Sequence, residues 1–295
     1  MQKKVTVLLS SYNGEKYIRE QLQSLYAQEG VDVNIYVRDD GSSDSTVDIL
    51  RDEQNNGRLQ YYAEKNVGFC KSFWDLIMTA PDSDYYALCD QDDIWLPDKL
   101  EKSVGMMSAE DDSIPLLYTT NVIPVDENLK ELSVKTFNVD SAFSLALALR
   151  CPALPGCTYV FNKALLIRSR EYKGFFYLHD WLIYIIALAT GKVLYDPNPR
   201  IMYRQHANNA LGVDSSFERI KHKLQRFFKP KIPRAKSKVA RGIFETFEND
   251  LSPENKRLLE AFAYYDKDFR HIKTLLKYKE YRTAPFVLQL ILKKI

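Results

Sequence analysis

Short apolar runs alternate with longer stretches of helical period over the first hundred residues. The apolar repeat from Tyr17 to Tyr26 predicts one helix, and a second helical pattern begins at Val47. We expect the N-terminal caps of these helices at Asn13 and Ser43. Runs rich in β-branched and aromatic residues predict strands at 5–9, 33–37, 59–62 and 85–89. This alternation predicts an α/β fold with a parallel sheet and crossover helices.

The remainder of the chain divides into a mixed region and a helical one. The mixed region predicts two strands and then a strongly apolar helix, at 116–119, 158–161 and 181–189. Beyond about residue 213 the pattern becomes helical and basic, and it contains no strand pattern. We therefore predict an α/β domain over 1–213 and a helical C-terminal region over 214–295.

The overall composition is that of an ordinary globular protein, with 295 residues of which 45% are hydrophobic and 27% charged. The formal charge of +2 argues against nucleic-acid binding, which usually goes with a large basic excess. The charge is unevenly distributed, since residues 217–241 contain ten Lys or Arg and only one acidic residue. Apolar side chains recur at helical spacing within this basic segment, which predicts a helix with one apolar and one basic face.

The basic segment 217–241 has two interpretations. It fits an anionic membrane surface, where each nearby Lys or Arg contributes about 1 kcal/mol, and it fits equally a basic face packed on protein. The apolar stretch 284–292 is a second candidate for a membrane contact or for a homodimer helix, and it is too short to span a bilayer. No signal-peptide core follows the first residues, so we expect a cytoplasmic protein, peripheral on the inner face of the plasma membrane.

Several familiar motifs are missing from the sequence. It contains neither G-x-G-x-x-G nor G-x-x-x-x-G-K-[ST], which excludes a dinucleotide oxidoreductase and a P-loop phosphotransferase. The four cysteines form no C-x-x-C pair, so the sequence predicts neither a disulfide framework nor a structural zinc site.

Three of the predicted strands end in clusters of polar side chains, at 10–13, 38–41 and 90–93. Ligands of open parallel sheets bind at the carboxyl ends of the strands, so we expect these clusters to converge. The last cluster, Asp-Gln-Asp-Asp, places three carboxylates in four positions, where they repel one another unless a cation neutralises them. Oxygen ligands of this kind suit Mg²⁺ or Mn²⁺. Taken alone, the two acidic clusters also fit ordinary turns that cap the next helix.

The order and spacing of three runs resemble family 2 glycosyltransferases of the GT-A fold. The runs are Ser-Ser-Tyr-Asn at 10–13, Asp-Asp-Gly-Ser-Ser-Asp at 39–44 and Asp-Gln-Asp at 90–92. The resemblance covers roughly residues 4–212 and implies a Rossmann-like, mostly parallel central sheet with flanking helices, followed here by a C-terminal helical extension. It also implies inverting transfer from a nucleoside-diphosphate sugar, with Mn²⁺ or Mg²⁺ as the cofactor.

The resemblance implies roles for residues on the donor side. Asp92 resembles the direct metal ligand, and His206 resembles a further metal or diphosphate contact. Asp39 would contact the base, and Asp90 the ribose or a water molecule. The residues implied to bind the nucleotide sugar are Ser11, Tyr12, Asn13, Asp39, Asn66, Gly68, Asp90, Gln91 and Arg204.

On the acceptor side, Asp180 resembles the catalytic base of the family. It lies in His-Asp-Trp at 179–181, where the family usually has Glu in place of His179. Gly156 and Trp181 are implied to lie on the same side. Local sequence alone fits a helix cap at Asp180 equally well.

Within the family, the resemblance is greatest to rhamnosyltransferases of bacterial surface polysaccharide assembly. It is carried by the 179–181 motif together with Tyr-Arg-Gln-His-Ala-Asn-Asn at 203–209. It implies transfer of L-rhamnose from dTDP-L-rhamnose to a hydroxyl of a lipid-linked glycan. Transfer of glucose, galactose or N-acetylhexosamine from a UDP-sugar is an alternative. A non-catalytic nucleotide- or glycan-binding adaptor at the membrane is an alternative of another class.

Overall fold

The computed structural model describes residues 2–133, 143–150, 155–205, 234–293 and 295. These residues form two compact units. The first contains 2–133, 155–171 and 178–204, and the second contains 143–150, 172–177, 205, 234–293 and 295. The domain boundary predicted near residue 213 lies outside the described residues.

A mostly parallel sheet is the centre of the first unit, as the sequence predicts. Among the described residues its strands are β1 Lys4–Ser11, β2 Asp32–Asp39, β3 Gln60–Ala63, β4 Tyr85–Asp90, β6 Leu116–Thr120, β8 Val160–Asn162 and β9 Lys192–Asp196. Their order is β3-β2-β1-β4-β8-β6-β9, and β8 runs antiparallel to both of its neighbours. A smaller sheet in the same unit has the order β5-β10-β7, formed by Ile94–Trp95, Ile201–Arg204 and Ile123–Val125 respectively.

Helices of the first unit connect these strands. Their bounds are α1 Ile18–Tyr26, α2 Thr46–Asn55, α3 Phe69–Thr79, α4 Lys99–Met107, α6 Lys163–Glu171 and α7 His179–Thr190. Helix α1 shows why they form, because its apolar residues at helical spacing, Ile18, Leu22 and Leu25, are almost completely buried in the core. Burying each such side chain stabilises the fold by about 1.5–3 kcal/mol.

The predicted helix caps at Asn13 and Ser43 were wrong. Helix α1 is preceded by Tyr17 and helix α2 by Ser45, so both helices begin later than the sequence pattern suggests. The reason is that the Asn13 side chain accepts a hydrogen bond from the backbone N–H of Ser43 at 2.8 Å, which ties the two loops to each other. Asn13 itself has a left-handed backbone conformation, with φ of 47°, and so cannot continue into a helix.

The strand predicted at 158–161 begins two residues later, at Val160. A 3₁₀ turn over Gly156–Thr158 occupies the preceding residues, and it is closed by hydrogen bonds from Thr158 N–H to the Pro155 carbonyl and from Tyr159 N–H to the Gly156 carbonyl. This turn contributes to the site described below.

The described part of the second unit is helical. It contains α5 Leu145–Arg150, α8 Ala235–Phe247, α9 Pro253–Ala263, α10 Phe269–Leu275 and α11 Ala284–Ile291. Helix α9 has a well-formed start, because the hydroxyl of Ser252 accepts from the Asn255 N–H and Pro253 follows at the first position. No described helix is both long and apolar enough to cross a bilayer. Residues 217–233 of the basic segment lie outside the described residues.

Candidate active site

The structure brings the three polar clusters to one edge of the large sheet. Strands β1 and β2 are in parallel register with Ser11 opposite Asp39, and β1 and β4 are in parallel register with Ser10 opposite Asp90. The strand order reverses between β1 and β4, since the chain moves from β1 outward to β3 and then returns to the other side. Such a reversal opens a crevice at the carboxyl ends of the strands.

The loop after β1 is bonded to the loop after β4. The Tyr12 N–H donates to Gln91 Oε1 at 2.8 Å, and the Tyr12 carbonyl accepts from Gln91 Nε2 at 3.1 Å. Gly14 completes this contact, because a Cβ at that position would lie 2.2 Å from Gln91 Oε1. The Tyr12 side chain is left about half exposed at the crevice.

The Asp39 carboxylate is fully buried and accepts hydrogen bonds on both oxygens. Oδ1 accepts from the hydroxyls of Ser11 at 3.0 Å and Ser42 at 2.6 Å, and Oδ2 accepts from the backbone N–H groups of Gly41 and Ser42. These four bonds fill the acceptor positions of a carboxylate. In this conformation Asp39 holds the ends of β1 and β2 together. Its contact with a nucleotide base stays a prediction, and it requires that one of these four hydrogen bonds be replaced by a bond to the base.

Asp40, which the sequence argument passed over, fixes the loop that contains Asn66 and Gly68. Its carboxylate accepts from the backbone N–H groups of Val67 at 2.8 Å and Gly68 at 2.9 Å. It also forms a buried ion pair with Arg38 at 2.6 Å. The position of Asp40 within the Asp-Asp-Gly-Ser run was the available clue, because the run already marked the end of β2.

The loop after β4 gathers carboxylates that could hold a divalent ion. One ligand atom from each of Asp90, Asp93 and Cys157 lies within 4.8 Å of the others. Asp93 is buried, and its Oδ2 has no hydrogen-bond partner among the described residues. Carboxylate oxygens suit Mg²⁺ or Mn²⁺, whereas a thiol does not, so the two carboxylates are the fitting part of this set. Asp92, the predicted ligand, lies between them in sequence and is partly exposed.

Burial, together with mutual repulsion, raises the pKa values of two of these carboxylates, Asp90 and Asp93. Burial, followed by the negative charges of Asp92 and Asp180, raises the pKa of Asp90 to about 7. Burial and the charges of Asp92 and Asp90 likewise raise the pKa of Asp93. Helix α7 brings a further carboxylate, Asp180, to the same turn, because Asp180 packs against Gly156 and the next residue, Cys157, lies in the cluster. The arrangement favours a cation, since neutralising these charges removes the repulsion.

Lys99 lies beneath this cluster and was not predicted from the sequence. Its ammonium group is completely buried, donates to the Cys157 carbonyl at 3.0 Å and lies over the Trp95 ring. Burial lowers the pKa of Lys99 to about 7, against the opposing effect of the acidic groups around it. Lys99 therefore links helix α4 to the turn Gly156–Thr158.

Asp180 is the second residue of helix α7, and it packs against the turn Gly156–Thr158. A Cβ at Gly156 would lie 2.8 Å from the Asp180 Cβ, so only glycine allows this approach. Asp180 Oδ1 accepts from the Trp181 N–H at 2.7 Å, and the remainder of the side chain is partly exposed. The Trp181 side chain lies in the core. Its predicted place on the acceptor side stays a prediction.

His179 is buried between aromatic rings. Its imidazole stacks on Phe73 at a centroid distance of 4.4 Å and meets the Phe69 ring edge-on at 6.1 Å. Burial lowers the pKa of His179, against the opposing charge of Asp180. A neutral imidazole packed in this way supports the start of helix α7.

Arg204 is engaged in contacts that hold the carboxylate loop. Its Nε donates to the Asp92 carbonyl at 2.8 Å, its Nη1 to the Glu127 carbonyl at 2.6 Å and its Nη2 to Glu20 at 2.5 Å. The guanidinium is almost completely buried. The structure thus gives Arg204 a positioning role, and its predicted contact with a diphosphate stays untested. His206 lies outside the described residues.

Replacing Asp90 with asparagine is expected to change how stability depends on pH. In the folded metal-free protein the pKa of Asp90 is about 7, so it keeps its proton up to about that pH, whereas in the unfolded chain it loses the proton near the ordinary aspartate pKa of 3.8. Between these values the folded state holds more protons, so its stability falls as the pH rises. We expect the Tm of the wild type to fall by several degrees relative to that of Asp90→Asn over this range, with both proteins measured in chelator. Parallel Tm profiles for the two proteins would contradict the coupling.

The sequence matches a known family and known proteins. Residues 6–163, more than half of the chain, match the family described as Glycosyl transferase family 2. Over 235 residues the chain is 33% identical to dTDP-rhamnosyl transferase RfbG of Shigella flexneri, which covers 71% of this chain and 75% of that protein. An uncharacterized glycosyltransferase of Haemophilus influenzae is 25% identical, with 99% of this chain and 95% of that protein covered.

Solved structures share the fold at low sequence identity. S. aureus TarS 1-349, in complex with UDP-GlcNAc, superposes with a TM-score of 0.62 at 16% identity, covering 99% of this chain and 82% of that one. The mannosyltransferase PcManGT from Pyrobaculum calidifontis, in complex with GDP-Man and Mn²⁺, gives a TM-score of 0.58 at 16% identity, covering 100% and 86%. These similarities confirm the predicted fold class.

Proposed function

The chain belongs to glycosyl transferase family 2, and from this premise we propose that it transfers L-rhamnose from dTDP-L-rhamnose, with inversion, to a hydroxyl of a lipid-linked glycan. One observation carries the proposal: carboxylates from two separate parts of the chain meet at the turn Gly156–Thr158, since Cys157 lies within 4.8 Å of Asp90 and Asp93 and Gly156 packs against Asp180. The similarity to a dTDP-rhamnosyl transferase supports the choice of donor over a UDP-hexose.

In this mechanism Asp180 is the general base. It accepts the proton of the acceptor hydroxyl while that oxygen attacks the anomeric carbon from the face opposite the diphosphate. A new carbon–oxygen bond forms, the bond to the diphosphate breaks, and the nucleoside diphosphate leaves with the bonding electron pair. General-base assistance of this kind contributes about 10²–10⁴ in rate. The close packing of Asp180 against Gly156 fixes the position of the Asp180 side chain.

The carboxylates of the loop after β4 would hold the divalent ion. Asp92 is the proposed direct ligand, and the oxygens of Asp90 and Asp93, which lie within 4.8 Å of each other, are further candidates. When bound, Mn²⁺ or Mg²⁺ neutralises the negative charge that develops on the leaving diphosphate. Arg204 keeps the Asp92 backbone in place. His206 is proposed as a further contact.

The nucleoside is proposed to bind beside β1 and β2. The residues for this contact are Ser11, Tyr12, Asn13, Asp39, Asn66, Gly68 and Gln91. Tyr12 is hydrogen-bonded to Gln91, and Asn13 to the neighbouring Ser43, which supports a partly preformed pocket. A preformed pocket reduces the entropy lost on binding.

Donor hydrolysis by the purified protein tests the proposal. We would incubate it with Mn²⁺ and dTDP-L-rhamnose, UDP-glucose, UDP-galactose or UDP-N-acetylglucosamine, and measure the nucleoside diphosphate released without acceptor. The greatest release, and the greatest thermal stabilisation, is expected with dTDP-L-rhamnose; a ligand at 100 times its Kd stabilises by about 2.7 kcal/mol. Greater release from a UDP-sugar would favour the alternative donor. No release from any donor would favour the non-catalytic adaptor.

We also propose that the protein attaches to the inner face of the plasma membrane through 217–241. The local excess of basic residues supports this attachment, and so do the exposed apolar side chains of Leu288, Ile291 and Leu292 in the C-terminal region. Flotation with phosphatidylglycerol vesicles is expected at low salt, with loss at high salt and none with phosphatidylcholine. If the protein is a homodimer in light scattering and binds neither kind of vesicle, the result would instead favour a contact of the basic segment with protein.

A further inference from the structure

Phe69 is an exposed aromatic residue at the edge of the candidate site. It is the first residue of helix α3, and its relative exposure of 52% is the largest of any large apolar residue in the described part of the first unit. Single exposed apolar side chains are normal on protein surfaces and need no function. The surroundings of Phe69 are what set it apart.

The Phe69 ring contacts a buried neighbour while about half of its side chain stays exposed. The ring lies at 84° to the His179 ring with their centroids 6.1 Å apart, and His179 is itself stacked on Phe73, one turn further along α3. The backbone before Phe69 is also fixed, because the Gly68 N–H donates to Asp40 at 2.9 Å and Gly68 takes a φ of 84° that favours glycine. The ring is therefore oriented before any ligand binds.

The same end of helix α3 lies beside the proposed base. Cys70, the next residue, accepts a hydrogen bond from the His179 backbone, and the charge of Asp180 contributes to raising the pKa of its thiol after burial. His179 and Asp180 are consecutive at the start of helix α7. Phe69 thus stands next to the position where a hydroxyl group would meet Asp180.

We propose that the exposed ring of Phe69 is the surface on which the acceptor sugar stacks, so that its reacting hydroxyl group points to Asp180. This inference rests on the proposed function. The π-face of an aromatic ring carries partial negative charge, and the C–H groups on one face of a pyranose carry partial positive charge, so the two surfaces attract each other. His179 acts through Phe69 as a positioning residue, because its buried ring contacts the Phe69 ring.

The experiment measures glycoside binding directly and needs no turnover. The protein is loaded with dTDP and Mn²⁺, and saturation-transfer NMR follows methyl glycosides of L-rhamnose, D-glucose and N-acetyl-D-glucosamine. We expect at least one glycoside to bind with transfer from aromatic protons to its ring C–H groups. Phe69→Ala should weaken that Kd about tenfold, and Phe69→Trp should preserve it.

Two controls separate this role from a general effect on the fold. Met78→Ala removes an apolar side chain of similar exposure, 44%, from the other end of the same helix, and glycoside binding should stay within about twofold. The dTDP affinity of Phe69→Ala, measured by calorimetry, should match the wild type. Absence of glycoside binding in the wild type up to tens of millimolar overturns the proposal, and so does equal weakening by both alanine variants. Failure of the proposed function is seen separately, as no nucleotide release in the donor assay.

Discussion

Replacing Asp180 with asparagine is expected to lower kcat for sugar transfer by about 10²–10⁴-fold, with little change in the affinity for the nucleotide sugar. Asparagine has the shape of aspartate but cannot accept the proton that the attacking hydroxyl loses. The packing against Gly156 is retained, so the backbone of the turn Gly156–Thr158 should not move. The measurement is transfer to the glycoside that binds best, together with donor affinity by calorimetry.

Asp48→Asn is the matched control for this variant. Like Asp180, Asp48 is an acidic residue in the first turn of a helix, and its side chain is 72% exposed and paired with Arg51. An effect that came only from the helix dipole would appear in both variants, at about 0.3–1 kcal/mol. Near-wild-type turnover by Asp180→Asn, with donor binding intact, would remove Asp180 from the mechanism.

Asp92→Asn is expected to lower kcat/KM by about 10²–10³-fold and to weaken Mn²⁺ binding. A proposed direct ligand becomes a neutral amide, and the charge that develops on the leaving diphosphate is then less well compensated. Calorimetric titration with Mn²⁺ checks the binding, and assays at several Mn²⁺ concentrations check whether excess metal restores the rate.

Asp93→Asn distinguishes the proposed ligand from the neighbouring cluster. Asp93 and Asp90 place oxygens close together, and the unpartnered Oδ2 of Asp93 could serve the same ion. Loss of Mn²⁺ affinity that is larger in Asp93→Asn than in Asp92→Asn would transfer the ligand role to Asp93. Full activity of the wild type in excess chelator would refute the metal requirement altogether.

The sequence was sufficient to predict β1, β2 and β4 because each is a run of six to eight residues that is at least half buried, whereas β3 is short and was recognised by its aromatic side chains. Strands β1, β2, β3 and β4 lie where the pattern placed them, within one or two residues. The strands of the smaller sheet are only two to four residues long, too short for alternation to be recognised. The two helix caps were misplaced because loop-to-loop hydrogen bonds, such as that of Asn13 with Ser43, compete with capping.

The acidic residues of the candidate site could be found from the sequence, but their surroundings could not. The Asp-Gln-Asp-Asp run can be recognised in the sequence by its high density of negative charge, whereas Lys99 is one lysine among many. Nothing in its local sequence indicates that its ammonium group is buried under carboxylates, because that depends on the packing of α4 against the turn Gly156–Thr158. The engagement of Arg204 by three elements is likewise a tertiary property.

The contacts of Arg204 have a consequence for how the protein is made. The partners of its guanidinium include Glu20, which is 184 positions earlier, and the Asp92 carbonyl, which is 112 positions earlier. During synthesis the strands β1 to β4 emerge long before this arginine does. The loop after β4 therefore lacks its hydrogen bond to Arg204 until most of the first unit has left the ribosome. Such long-range closure is slow to form. A truncated chain that stops before residue 204 would contain strands β1 to β4, but it would lack the arginine whose hydrogen bonds fix the loop after β4 at the candidate site.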